Sequence, residues 1–376
     1  YEDVVEHGPA PEARSNPYLA AELFLRGLGL RRGDRVLMAV QDSPWFFYVF
    51  WGAIKAGMVP IAVNTLLKAH EYAYLIDDSG CAALVHTDCL TEVAGGAAAA
   101  AAKPLVLPVG TLEQRMAAAS AVLEPEPTGP LDDCFWLYSS GSTGHPKGVV
   151  HRHRDMVITS ERYGQGIAGL RQDDVVFCAG KLFFSYGFGG GMTFPIWAGA
   201  TTVLSDERPS VEMAFTMIER FRPTYYFGVP TLYAQQLIAL ESQPRDLSSI
   251  RAASSAGEAL PAHVFHRWKE ATGITILDGI GSTEVLHIFV SNRHDDVRPG
   301  TSGRPVPGYE VKIVDIDGNR LPDGEIGYLW VKGDSNARCY WNNPEKTEAT
   351  MRGEWLNTGD MYCLSPEGYY VNMGRG

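Results

Sequence analysis

Positive charge is in short supply here: 32 Lys and Arg stand against 44 Asp and Glu, a formal net charge of −12 over 376 residues. A surface of that sign lacks the basic stripe of a general nucleic-acid binder, although a few local donors still suffice for a nucleotide substrate. Cysteine is sparse as well. The six, at 81, 89, 134, 178, 339 and 363, follow the spacing of neither a disulfide scaffold nor a zinc site. They are expected to be reduced, mostly packed thiols in a cytoplasmic protein. No apolar run approaches the ~20 residues that cross a bilayer, so no membrane partner is expected. Glu2, Asp3, Glu6 and Pro9 replace the basic start and apolar run of a secretory signal. No Ser-His-Asp arrangement stands out. His145, His151 and His153 cluster, but Arg152 and Arg154 beside them oppose a cation, and they read as solvated residues at a helix start.

What is present points to a large α/β protein. Hydrophobic residues make up 45% of the chain, enough for a substantial core in two or three domains, or in one α/β body with an appendage. Strand patterns at 35–40, 59–63 and 82–85 alternate with helical patterns at 19–28, 44–55 and 70–76. The alternation resumes with strands at 174–178, 200–204, 224–229, 250–253 and 274–277, a helix capped by Ser210, another over 232–240 and one opening at Pro261. That order marks a parallel sheet covered on both faces. Residues 91–130, with a nearly pure Ala/Gly run at 94–102, lack an apolar stripe and read as a peripheral excursion. From Gly308 the period becomes two, with turn pairs Asp317-Gly318 and Asp323-Gly324. The expected organisation is an α/β part over 1–307 and a β-rich part over 308–376, a small barrel or distorted sheet.

One stretch concentrates hydroxyls, glycines and a lysine: Tyr138-Ser139-Ser140-Gly141-Ser142-Thr143-Gly144-His145-Pro146-Lys147. Glycines let successive backbone N–H groups converge on one point. Such a nest attracts anions, and a lysine adds a mobile positive charge; a plain surface loop is the alternative. A Walker A loop is a poor match, because Ser or Thr follows its lysine and Gly148 follows Lys147. A second group, Asp278-Gly279-Ile280-Gly281-Ser282-Thr283-Glu284, follows a predicted strand, where open α/β sheets bind ligands. Its hydroxyl and carboxylate suit a phosphate oxygen and magnesium. Ser282 or Thr283 equally suits a helix N-cap, with Glu284 in the first turn. Ser255-Ala256-Gly257-Glu258 offers small residues at another strand-to-helix junction, where a flat ligand or a capped helix would fit. In Thr358-Gly359-Asp360 the carboxylate can accept from both hydroxyls of a vicinal diol, or can belong to a surface turn.

Together these segments resemble the adenylate-forming enzymes: acyl-CoA synthetases, aryl-CoA ligases and luciferases. The resemblance runs from about Arg35 to Arg375 and is closest to benzoate–CoA ligases and their hydroxybenzoate relatives. Besides the loop, it is carried by Asn64-Thr65-Leu66-Leu67, Phe135-Trp136-Leu137-Tyr138, Lys181-Leu182-Phe183-Phe184 and Asp278 through Phe289. It implies the family's large N-terminal domain, α/β with stacked sheets plus a distorted β-barrel, ending at the interdomain hinge, with the mobile C-terminal domain absent. In such a domain Ser139, Ser140, Gly141, Ser142, Thr143, Gly144 and Lys147 embrace the outer phosphates of ATP. Thr283 approaches the α-phosphate and Glu284 coordinates magnesium. Asp278, Gly279, Ile280, Gly257 and Glu258 border the adenine, and Asp360 and Arg375 contact the ribose. Ile280 departs from the family's usual aromatic residue. The acid is expected against Phe183, Tyr186, Ala256, Gly281, His287 and Ile288, with Phe184 and Phe188 as slot or core. Ser185 stands where the benzoate pattern often has alanine.

The activity implied has two steps: attack of the acid on the α-phosphorus of ATP, then transfer of the acyl group to coenzyme A with release of AMP. Lys147, Thr283 and Glu284 would act through phosphate positioning and charge neutralisation. Lys147 is not the family's adenylation lysine, which belongs to the C-terminal domain, so the chain as it stands is expected to bind ATP and acid but to adenylate poorly. The expected partners are an aromatic carboxylic acid, ATP and CoA, and a homodimer remains open. A ligase for 2-aminobenzoate or a small aliphatic acid is the alternative, as is, in a different class, a noncatalytic nucleotide-binding module.

Overall fold

The computed structural model describes residues 27–101, 104–116, 125–139 and 144–376. Ser140, Gly141, Ser142 and Thr143 therefore lie outside the described residues, as does most of the helix expected over 19–28. The chain divides into two compact units, 1–138 and 139–376.

In the first unit, β1 (Arg35–Ala39), α1 (Pro44–Lys55), β2 (Val59–Ala62), α2 (Ala69–Ser79) and β3 (Ala83–His86) follow the predicted alternation. Pro44 opens α1, where its missing N–H costs nothing. Residues 91–130 are less peripheral than their composition predicts. Gly96–Ala101 forms α3, packed on α2 with Ala97 and Ala98 buried, and Leu105–Pro108 forms β4, which pairs in parallel with β3 and leads into α4 (Val109–Met116). An alanine run has no apolar contrast for a periodicity to reveal, yet its small side chains still pack against a neighbour. With β5 (Asp133–Ser139) the strand order is β5-β2-β1-β3-β4, all parallel. Phe50 of α1 packs its ring 5.7 Å from that of Phe135.

The second unit opens with β6 (Lys147–Arg152) and α5 (His153–Thr159). Its main sheet is built from β7 (Val175–Cys178), β8 (Thr201–Val203), β9 (Tyr225–Gly228), β10 (Ala252–Ser255), β11 (Ile276–Gly281), β12 (Ile288–Ser291) and β13 (Arg304–Pro305). The order is β13-β12-β11-β10-β9-β7-β8, parallel from β8 to β11 and antiparallel beyond. β11 extends through Gly281, so Asp278–Gly281, expected after the strand, lie within it and only Ser282–Glu284 follow. Antiparallel pairing of Gly279 with Ser291 prolongs the strand past the point where its apolar pattern ends. Two helices, α6 (Val211–Phe221) and α7 (Ala262–Thr272), bury apolar faces around Trp268 and Phe215.

The remaining strands, β14 (Glu310–Val314), β15 (Gly327–Lys332), β17 (Met351–Arg352), β18 (Trp355–Leu364) and β19 (Tyr370–Arg375), form an antiparallel sheet centred on β18. The short β16 (Cys339–Tyr340) instead pairs with β6.

Ser210 caps α6 as the sequence predicts, its Oγ accepting the Met213 N–H at 3.1 Å. Ser210→Ala should lower stability by about 1 kcal/mol, and Ser210→Asp should restore most of it. Urea unfolding of the three proteins checks this; equal midpoints would contradict it.

Candidate active site

Ser282 caps a single 3-10 turn, Thr283–Val285, by accepting the Val285 N–H at 3.3 Å. The cap and the carboxylate thus coexist in one motif. Glu284, in that turn, accepts at Oε1 from the Tyr340 hydroxyl at 2.8 Å and from the Ser139 hydroxyl at 3.4 Å. Its Oε2 has no hydrogen-bond partner among the described residues. β16 pairs Tyr340 with Val149 of β6, and the Lys147 ammonium at the start of β6 lies 5.7 Å from the centre of the Tyr340 ring. Burial and the neighbouring Lys346 lower the Lys147 pKa, while Glu284 opposes them.

Behind this cluster, His151 Nε2 donates to the Thr283 carbonyl at 2.8 Å, and its Nδ1 meets Asp155 at 2.9 Å. Both side chains are fully buried. The expectation of solvated histidines is therefore wrong for His151: β6 carries it inward, and Asp155, one helical turn on, supplies its partner. Sequence reading also missed Tyr340, 56 residues from Glu284. Among the described residues no group of three or more His, Cys, Asp or Glu converges to hold a metal ion. A divalent ion here would take most of its ligands from phosphate and water, as magnesium does.

Asp360 and Arg375 face each other across β18 and β19, with Nε 4.0 Å from Oδ1. Burial raises the Asp360 pKa; Arg375 and the Thr358 hydroxyl counter it, and Glu284 adds to it. The field of Glu284 thus reaches both Lys147 and Asp360.

The adenine candidates gather at the ends of β10 and β11. Ser255 pairs in register with Asp278, which accepts the Leu260 N–H at 3.4 Å. Asp278 Oδ1 and Ser255 Oγ are buried with no close hydrogen bond among the described residues, although the Ser255 hydroxyl is near enough to favour the Asp278 carboxylate. Burial pushes Asp278 up to about 8. Ala256 is buried beyond β10, and Gly257 follows at φ 95°. Glu258 is exposed and accepts from Thr231 at 2.8 Å, and Gly144 is exposed too. Ile280 is partly buried against the core, and a Cβ on Gly279 would meet the Val290 carbonyl at 2.6 Å.

Among the acid candidates, Tyr186 and His287 join an aromatic group with Phe194. The Tyr186 hydroxyl donates to the Gly228 and Ser254 carbonyls at 2.9 and 3.0 Å. His287 stacks on Tyr186 with ring centres 5.5 Å apart and meets Phe194 edge-on at 4.5 Å. Its Nε2 lies 3.3 Å from the Tyr186 carbonyl, and its buried Nδ1 has no partner among the described residues. Burial pushes His287 down to about 3, so the ring is neutral at physiological pH. Ile288 is buried, and a Cβ on Gly281 would crowd the His287 backbone at 2.7 Å. Phe183 is buried but Phe184 is 52% exposed, and Phe188 is fully buried. Ser254, unnoticed in the sequence, joins Tyr163 and Tyr225 through its hydroxyl at 2.9 and 2.8 Å. A cavity of about 490 Å³ opens elsewhere in this unit, beside Arg152, Lys332 and Trp355, and none of these site residues lines it.

Asp278 has a consequence for stability. Its folded pKa lies above its ordinary value, so between about pH 4 and 8 the folded state binds the proton more strongly than the unfolded chain. Its contribution to stability is full below pH 4 and is lost as pH rises toward 8. Asp278→Asn should therefore gain stability relative to the parent over that interval; melting curves from pH 5 to 8 that stay parallel would contradict this.

Comparison with known proteins bears on the family. Residues 19–341 match the family model of the AMP-binding enzymes. The chain is 49% identical over 364 residues to a benzoate–CoA ligase of Thauera aromatica, covering 93% of this chain and 67% of that protein. It is 40% identical to a 4-hydroxybenzoate–CoA/benzoate–CoA ligase of Rhodopseudomonas palustris, covering 96% and 68%. In structure it matches a benzoate CoA ligase from Burkholderia xenovorans LB400 at a TM-score of 0.90 and 42% identity, over 97% of this chain and 73% of that one. An anthranilate CoA ligase in complex with anthranoyl-AMP matches at 0.92 and 39%, over 96% and 71%. The fold, the motifs and these likenesses agree that the chain belongs to the AMP-binding enzyme family.

Proposed function

We propose that the chain serves an AMP-forming aryl-CoA ligase, activating benzoate or a hydroxybenzoate with ATP and passing the acyl group to CoA in the cytoplasm. The observation that carries this reading is the gathering of Glu284 and Lys147 around Tyr340, in a unit that also holds the Asp360–Arg375 pair and the Tyr186–His287 aromatic group. Among the described residues no helix is long and apolar enough to cross a membrane.

In this reading the acid's carboxylate oxygen attacks the α-phosphorus, the bond to the bridging oxygen breaks, and pyrophosphate leaves with that electron pair. The CoA thiolate then attacks the acyl carbon and AMP leaves. Lys147 neutralises phosphate charge, and its lowered pKa reflects a partly desolvated ammonium. Thr283 is fixed through its carbonyl by His151, which orients its hydroxyl-bearing turn toward phosphate. Asp360 accepts from the ribose hydroxyls. Asp278 Oδ1 and Ser255 Oγ, buried with no close hydrogen bond among the described residues, can accept from an adenine amine. Magnesium fits beside Glu284, whose Oε2 is free of hydrogen bonds among the described residues, and when bound it would neutralise phosphate charge. The β-rich residues 308–376 would act as a separate subdomain, carrying Asp360 and Arg375 to the nucleotide.

Asp360→Ala should weaken AMP binding by about 2–5 kcal/mol and leave benzoate binding nearly unchanged. Calorimetry on both ligands checks it, and unchanged AMP affinity would remove Asp360 from the site. For substrate class, benzoate or a monohydroxybenzoate should exceed octanoate by at least ~100-fold in kcat/KM, because a ring fills an aromatic slot without freezing many torsions. CoA- and ATP-dependent thioester formation is to be measured with benzoate, 4-hydroxybenzoate, 2-aminobenzoate and octanoate, using an enzyme that includes the family's C-terminal domain. Comparable turnover of octanoate would overturn the aryl assignment.

A further inference from the structure

We propose that Tyr340 is a positioning residue: its hydroxyl fixes one oxygen of Glu284 so that the other stays available, and its ring face seats the Lys147 ammonium. The inference rests on the reading of Glu284 and Lys147 as partners of a metal-bearing triphosphate.

The geometry makes Tyr340 a bridge between two groups of opposite charge. Its hydroxyl is 2.8 Å from Glu284 Oε1, shorter than the 3.4 Å contact from Ser139. A hydroxyl donating to a carboxylate is a charge-assisted bond, stronger than a neutral one. The Lys147 Nζ lies 5.7 Å from the ring centre, within range of a cation–π attraction. A glutamate has three side-chain torsions, and holding them in advance removes an ordering cost from the moment of binding.

The backbone around Tyr340 is tied to the same two elements. The Ala337 N–H donates to the Glu284 carbonyl at 2.7 Å, the Arg338 N–H to Val150 at 2.9 Å and the Trp341 N–H to Gly148 at 2.8 Å. The Tyr340 N–H itself donates to Thr347 Oγ1 at 3.0 Å. Segment 337–341 is thus held by the Glu284 turn and by β6, one residue from Lys147. The tyrosine side chain, 5% exposed, has little freedom to leave its position. A purely structural tyrosine would need only some partner for its buried hydroxyl; this one donates to Glu284, while its ring lies against Lys147.

The test uses this chain, calorimetry with ATP plus magnesium and with AMP without metal, and thermal melting. Tyr340→Phe keeps the ring and removes the hydroxyl. It should weaken magnesium–ATP about tenfold, leave AMP within twofold and shift the melting point little. Tyr340→Leu, which also removes the seat of Lys147, should weaken metal-free pyrophosphate as well, whereas Tyr340→Phe should not. The proposal is overturned if Tyr340→Phe binds magnesium–ATP as the parent does, or if it loses ATP and AMP equally. Glu284→Gln separates the two levels: if it leaves the metal dependence of ATP binding unchanged, the underlying reading fails. If it abolishes that dependence while Tyr340→Phe does not alter it, only the role of Tyr340 fails.

Discussion

Glu284 brings a negative charge into a partly buried turn, and much of its surroundings answers what that charge requires. Removing a carboxylate from water is costly unless hydrogen bonds or opposite charge replace the hydration. Tyr340 and Ser139 supply hydrogen bonds to one oxygen, and Lys147 supplies charge nearby. The backbone is fixed as firmly as the side chain. His151 holds the Thr283 carbonyl and Ala337 holds that of Glu284, so the turn is braced from β6 and from the segment carrying Tyr340. Strands distant in sequence are thereby locked to one carboxylate, and its field extends to Asp360 on β18.

A second feature is the set of buried polar atoms left unpaired. Asp278 Oδ1, Ser255 Oγ and His287 Nδ1 have no close hydrogen bond among the described residues, although most buried polar atoms in folded proteins are satisfied. Asp278 meets its burial by holding a proton to about pH 8, and His287 by remaining neutral. For Ser255 and Asp278, on the paired parallel strands β10 and β11, this burial is a cost that a ligand with matching donors and acceptors can recover.

The alternating body was readable because strands such as β1 and helices such as α1 bury continuous or periodic apolar faces. Ser210 was readable because a cap is a local contact. α3 was not, since an alanine-rich run offers no contrast between faces, and the four residues of β4 are too few for a period to show. The candidate site residues divide in the same way. Glu284, Asp360 and Lys147 stand in short motifs whose chemistry is visible in neighbouring letters. Tyr340, Ser254 and His151 act through contacts 56, 91 and 132 residues distant in sequence, and only the folded arrangement joins them. His151 was misplaced for that reason: in the sequence its neighbours are arginines, and in the fold they are a carboxylate and a carbonyl.

The most direct measurement is a crystal structure of this chain with ATP, magnesium and benzoate. The account places a Glu284 carboxylate oxygen within about 2.0–2.1 Å of a magnesium ion that also contacts phosphate, with Oε1 still bonded to Tyr340, both ribose hydroxyls on Asp360 and the ring of benzoate beside Tyr186 and His287. A nucleotide bound with Glu284 and Asp360 both out of contact would contradict it.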